Sequence, residues 1–74
     1  MKKIIVRNKG NENMNILHVL KLFSNHGVLQ LEKFKFYHDE FVSGGGMDFD
    51  VDDDKLELLT DGLSFFNVKY EVIG

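Results

Sequence analysis

The chain contains neither cysteine nor proline. Without cysteine there is no disulfide, no thiol nucleophile and no thiolate metal site. Small secreted domains usually lean on such cross-links, so a cytoplasmic setting is expected. Without proline, glycine and asparagine must supply the punctuation. Long apolar runs are missing too. None approaches the ~20 residues needed to span a bilayer, and the basic-then-apolar start Met1–Arg7 is too short for a signal peptide, so no membrane association is expected. Nor is there an excess of positive charge. The formal net charge of −3 disfavours direct nucleic-acid binding through phosphate neutralisation.

What is present fits one small globular domain over residues 1–74. Hydrophobic content of 43% and charged content of 28% are those of a folded chain. A chain of this length has little stability to spare.

The most distinctive stretch runs from Gly44 through Gly45, Gly46, Met47, Asp48, Phe49, Asp50, Val51, Asp52 and Asp53 to Asp54. Strand side chains repeat every two residues, so Met47, Phe49 and Val51 share one face and Asp48, Asp50 and Asp52 the other. A buried apolar row and a ladder of like charge therefore lie back to back. The Asp-x-Asp-x-Asp spacing matches the opening of a calcium-binding EF-hand loop. However, its sixth position is Asp53 or Lys55 instead of glycine, its twelfth is Leu59 or Asp61 instead of glutamate, and the apolar alternation requires a strand.

Around this stretch the patterning predicts six elements. Lys2 to Arg7 reads as a strand, with Ile4 and Val6 on one face and Lys3, Ile5 and Arg7 on the other. After the polar loop Asn8–Asn13, Ile16, Val19, Leu20 and Phe23 define an amphipathic helix. Asn13 or Asn15 would cap it and Gly27 would end it. Val28 to Tyr37 reads as a second strand. Leu29 and Leu31 fall on one parity and Phe34 and Phe36 on the other, which demands a bulge near Glu32 and Lys33. The segment His38–Ser43 and the glycine triplet lead to the third strand, Met47–Asp52, and permit a long two-stranded arm tipped by the glycines. A second helix follows from Asp53 to Asp61, ended by Gly62, with Leu56, Leu59 and Leu63 inward. Ser64 to Ile73 reads as a last strand, with Phe66, Val68, Tyr70 and Val72 inward. The order β-α-β-β-α-β predicts an α+β, ferredoxin-like fold: a four-stranded antiparallel sheet, strands one and three central, with two helices on one face.

On such a sheet Lys3 and Arg7, with Lys33 or Lys35, would neutralise part of the acidic ladder. The remaining negative charge lies between Asp48 and Asp61, where Asp48, Asp50, Asp52, Asp53, Asp54, Glu57 and Asp61 face Lys55 alone. These seven are the candidate partner-binding residues, matched to a protein with a basic surface. His18, His26 and His38 lack metal-ligand spacing, and Ser24, Ser43 and Ser64 lack an activating motif. No catalytic residue, metal or cofactor is therefore expected. A non-catalytic binding or regulatory module is the first functional expectation, with exposed apolar candidates Phe41, Leu58 and Phe65. One concrete form is an inhibitor that covers a nucleic-acid-binding surface of its partner, as phage anti-CRISPR proteins do.

The stretch Asn15–Val28, a helix ending in glycine before a strand, and the stretch Asp52–Leu63 together resemble the two helices of ACT-type regulatory domains. The resemblance covers nearly the whole chain, although Met14 or Asn15 stands where that family usually has glycine. It implies an alternative function, dimeric sensing of a small effector such as an amino acid. The effector would sit near Asn11, Asn13, Met14 and Asn15, where free helix N–H groups take a carboxylate. Either a monomer or a homodimer is compatible: Lys33, Lys35 and Lys69 would blunt sheet edges, whereas Ile5 and Phe65 would favour association.

Overall fold

A computed structural model describes all residues, 1–74. The elements are β1 (Lys2–Arg7), α1 (Ile16–Asn25), a 3-10 turn (Leu31–Lys33), α2 (Phe34–Val42), β2 (Gly46–Val51), α3 (Asp53–Phe65) and β3 (Glu71–Ile73). The sheet has three strands in the order β2-β1-β3, and both pairings are antiparallel. The fold is thus α+β, but the ferredoxin-like expectation of four strands and two helices is overturned: three helices cover a three-stranded sheet. β1 is central as expected. β2, expected to be central, is an edge.

The error lies in residues 28–37. The parity conflict there is the mark of a helix, because Phe34, Tyr37 and Phe41 fall at i, i+3, i+7. α2 turns those three inward, with Phe41 buried and Phe34 and Tyr37 packed against the core, while Phe36 is 60% exposed. Phe41, expected to be exposed, is therefore a core residue. The two-stranded arm does not form.

All three helices end in the same way. The C″ N–H reaches back to the C3 carbonyl and the C′ N–H to the C2 carbonyl, with the C′ residue left-handed. In α1 these bonds are Val28→Phe23 (2.9 Å) and Gly27→Ser24 (3.0 Å); in α2, Gly45→Glu40 (3.0 Å) and Gly44→Phe41 (3.1 Å); in α3, Val68→Leu63 (2.9 Å) and Asn67→Ser64 (3.0 Å). The glycine triplet is accordingly a helix stop. Gly44 has φ +101°, and a Cβ on Gly45 would lie 2.9 Å from the Glu40 carbonyl oxygen.

Gly62 does not end α3. It lies inside the helix where α1 crosses closely, and a Cβ there would sit 2.8 Å from both terminal methyls of Leu22. The stop falls to Asn67 at φ 59°, which shortens the predicted last strand to Glu71–Ile73. Asn67→Ala is expected to cost about 1 kcal/mol through left-handed strain, while Asn67→Gly holds or gains a few tenths. Urea midpoints measure both; equal stability of the two variants would contradict this stop.

The core comprises Ile4 and Val6 of β1, Met47, Phe49 and Val51 of β2, Val19, Leu20 and Phe23 of α1, Phe41 of α2, Leu59 and Leu63 of α3, and Leu29 and Val68 from connections. Phe49 is held between two rings, stacked on Phe23 at 4.2 Å and tilted against Tyr37 at 5.0 Å. All five buried strand residues lie on one face. The opposite face carries Lys3, Ile5 and Arg7 beside Asp48, Asp50 and Glu71.

Candidate functional site

The acidic ladder forms as its alternation requires. Along β2 the burial alternates strictly, with Met47, Phe49 and Val51 inside and Asp48 and Asp50 outside. The register sets Lys3 opposite Asp50 and Ile5 opposite Asp48. Lys3 Nζ lies 4.0 Å from a carboxylate oxygen of each aspartate. On the other flank the Arg7 guanidinium forks onto Glu71, with Nε at 2.9 Å from Oε1 and Nη2 at 3.5 Å from Oε2. One cation thus serves two acids, and Arg7 is committed elsewhere. Lys33 and Lys35 lie on the 3-10 turn and α2, away from the position opposite the ladder that a second strand would have given them.

The acids after the ladder belong to α3. Asp52 occupies the N-cap position in extended conformation, yet its side chain makes no capping hydrogen bond. Asp53 and Asp54 stand in the first turn, where the helix dipole favours negative charge. Asp53 Oδ1 lies 3.8 Å from the Met1 ammonium. Asp54, Glu57, Leu58, Asp61 and Phe65 follow helical spacing along one exposed side of α3. Asp54, Glu57 and Asp61 form no ion pair. Lys55, the one cation near them in sequence, is half-buried and donates to the His26 carbonyl at 2.9 Å, across the end of α1. Leu58 is 56% exposed and Phe65 81% exposed among these acids. The seven predicted partner-binding residues are therefore divided: Asp48 and Asp50 on the open sheet face, Asp52 and Asp53 at the corner, and Asp54, Glu57 and Asp61 on the outer side of α3.

Two of the four predicted effector residues, Asn11 and Asn15, are built into the fold. Asn11 is buried, and its carboxamide bridges two strands' ends. Nδ2 donates to the Arg7 carbonyl at 2.8 Å and to the Lys69 carbonyl at 2.9 Å, and Oδ1 accepts from the Lys69 N–H at 2.8 Å. The β1–β3 register would pair Arg7 with Lys69 next, so the side chain continues the ladder where the strands part. Asn15 caps α1, accepting from the Leu17 and His18 N–H groups at 3.0 and 3.4 Å. Its own carboxamide thus takes the groups assigned to an effector carboxylate. Asn13 and Met14, with Gly10, Glu12, Phe66 and Asn67, line a shallow cleft of about 270 Å³.

Beside it the Gly10 N–H donates to Glu12 Oε1 at 3.0 Å. That bond first, then the Glu12 N–H and last the charge of Lys69, hold the carboxyl of the exposed Glu12 below its ordinary range. This contribution to stability is present at neutral pH and lost as acid protonates the carboxylate in the folded state.

His18 lies against Phe66 with ring centroids 5.3 Å apart, and His38 Nδ1 lies 3.4 Å from Asp39 Oδ1. No three side chains among histidine, aspartate and glutamate converge as a metal site would need. No helix is long and apolar enough to cross a membrane. Sequence reasoning missed the exposure of Leu31, Phe36 and Val42, because two of them sat in a segment read as strand. The helical spacing of Phe34, Tyr37 and Phe41 was the available signal.

These surfaces belong to a small α+β domain with helices on one face of an antiparallel sheet. Comparison with protein-family models, curated proteins and solved structures finds no match. The ferredoxin-like arrangement behind the ACT resemblance is absent from this fold.

Proposed function

We infer that the chain is a non-catalytic protein-binding module that docks an acidic helix face on a basic surface of another protein. The observation that carries this reading is the outer side of α3. Asp54, Glu57 and Asp61 stand there without cations, around the exposed side chains of Leu58 and Phe65. Unpaired acids steer a basic partner and fix its orientation. Exposed aromatic and aliphatic side chains among them supply the apolar contact that holds it. An inhibitor that covers a nucleic-acid-binding surface is one form such a module takes.

Affinity capture from cells that make the protein tests this. The wild type is compared with the triple variant Asp54→Lys, Glu57→Lys, Asp61→Lys and with the pair Leu58→Ser, Phe65→Ser. A partner held by the wild type should be lost by both variants, and its capture should weaken as salt rises. Variants that capture the same partner with the same salt dependence would refute the reading.

A further inference from the structure

β2 forms one margin of the sheet, and its outer edge is unpaired. The Asn8 N–H donates to the Gly45 carbonyl at 3.2 Å. In this register the residues of β2 that exchange hydrogen bonds with β1 are Met47, Phe49 and Val51. The backbone N–H and C=O groups of Gly46, Asp48 and Asp50 therefore point away from β1. No other strand lies there to take them. A row of unpaired backbone groups is a template for another strand.

The side chains beside that row select what can pair. Asp48 and Asp50 are 63% and 67% exposed and share Lys3 from one side only. A second copy pairing antiparallel along the whole edge would set these aspartates against one another, and like charges directly opposite are destabilising. A strand carrying lysine or arginine at those positions meets opposite charge instead. Residues between them would project to the other side, toward the α2 flank. A cleft of about 730 Å³ opens at the Gly46 end of the edge, lined there by Met47 and Asp48 of β2 and by Phe36, Tyr37 and Glu40 of α2. Phe36 offers an exposed ring to an apolar side chain.

We propose that β2 is a docking edge for an extended segment of another protein in which basic and apolar residues alternate. The basic residues pair with Asp48 and Asp50, and the apolar residues enter the cleft beside Phe36. The proposal stands apart from the α3 reading, since it uses neither that helix nor its acids.

The test is an NMR titration of the full chain with three end-blocked peptides. The first is Lys-Val-Lys-Val-Lys; the second replaces lysine by glutamate; the third keeps the lysines but carries N-methyl groups on the backbone facing β2. The first should shift the Asp48 and Asp50 amides and slow their hydrogen exchange at least tenfold. The second should not bind, and the third should bind at least tenfold more weakly. The double variant Asp48→Lys, Asp50→Lys should exchange these preferences and bind the glutamate peptide. The triple α3 variant should bind as the wild type does, which separates this proposal from the functional reading above. Equal binding of the N-methylated peptide, shifts centred on α3, or edge amides already protected by self-association of the protein would each overturn it.

Discussion

Replacing Phe23 with alanine is expected to bring the protein to the verge of unfolding. Phe23 is fully buried and its ring stacks on Phe49 at 4.2 Å. It stands where α1 meets β2, and its carbonyl accepts the Val28 N–H that ends the helix. Truncating a buried phenylalanine costs about 3–5 kcal/mol, from lost transfer energy and from the cavity left behind. A domain of 74 residues has roughly 4–11 kcal/mol in all, at the usual stability per residue. Urea denaturation followed by circular dichroism should show the midpoint falling steeply with little change in slope. Phe65→Ala, at a side chain 81% exposed, should stay within about 0.5 kcal/mol of wild type. A Phe23→Ala loss below that margin would mean that the two rings are not the centre of the core.

The second large effect concerns Asn11. Asn11→Ala leaves the Arg7 and Lys69 carbonyls and the Lys69 N–H without their buried partner, at a cost of about 2–4 kcal/mol. The damage should be local first. Amides of Glu71 to Ile73 should exchange faster than those of β2, because Asn11 holds the approach to β3. Asn11→Asp adds a pH dependence. Its carboxylate would face two carbonyl oxygens in a buried site, so its folded pKa rises above the unfolded value of about 3.9. A group with a raised folded pKa contributes stability below the unfolded pKa and loses it as pH rises through the folded one. The variant should therefore be more stable at pH 4 than at pH 7 relative to Asn11→Ala. An unchanged difference between the two variants across that range would contradict the clamp.

Local physics made some of this legible in the sequence. The alternation of Met47, Phe49 and Val51 with aspartates allows one strand orientation, and β2 adopts it. α1 was equally plain, with its Asn15 cap, its apolar stripe and Gly27 at its end. Leu17, beside that stripe, is half exposed. Leu58 is exposed as the helical spacing of its segment requires; Phe65 is exposed as expected, but on the last turn of α3 and not on the strand face that was read there.

Other features depended on choices the chain leaves open locally. Gly62 and Asn67 both suit a helix end. The close passage of Leu22 keeps Gly62 inside the helix, and that is a tertiary fact. Residues 28–37 have enough aromatic and apolar character to pass for a strand, and only the three- and four-residue spacing of Phe34, Tyr37 and Phe41 betrays the helix. Asn11 looked like an available polar side chain because nothing local announces a partner fifty-eight positions away. For the candidate site, the acids were readable as a cluster, and so was their split between the face of β2 and the helix after it. What was not readable is which cations leave the acids alone: Lys55 reaches across to the His26 carbonyl, and Arg7 turns to Glu71 instead of the ladder.

The central position of β1 has a consequence for synthesis. β1 ends at Arg7, while its neighbours begin only at Gly46 and Glu71. At ordinary translation rates, on the order of a few seconds separate the emergence of β1 from that of its first partner. During that interval both margins of β1 are open, and Lys2, Lys3 and Arg7 are the charges that discourage nascent chains on neighbouring ribosomes from pairing there. With no proline to isomerise, no slow prolyl step delays closure once β3 arrives. The basic residues that flank Ile4 and Val6 thus protect the chain before it has a fold to stabilise.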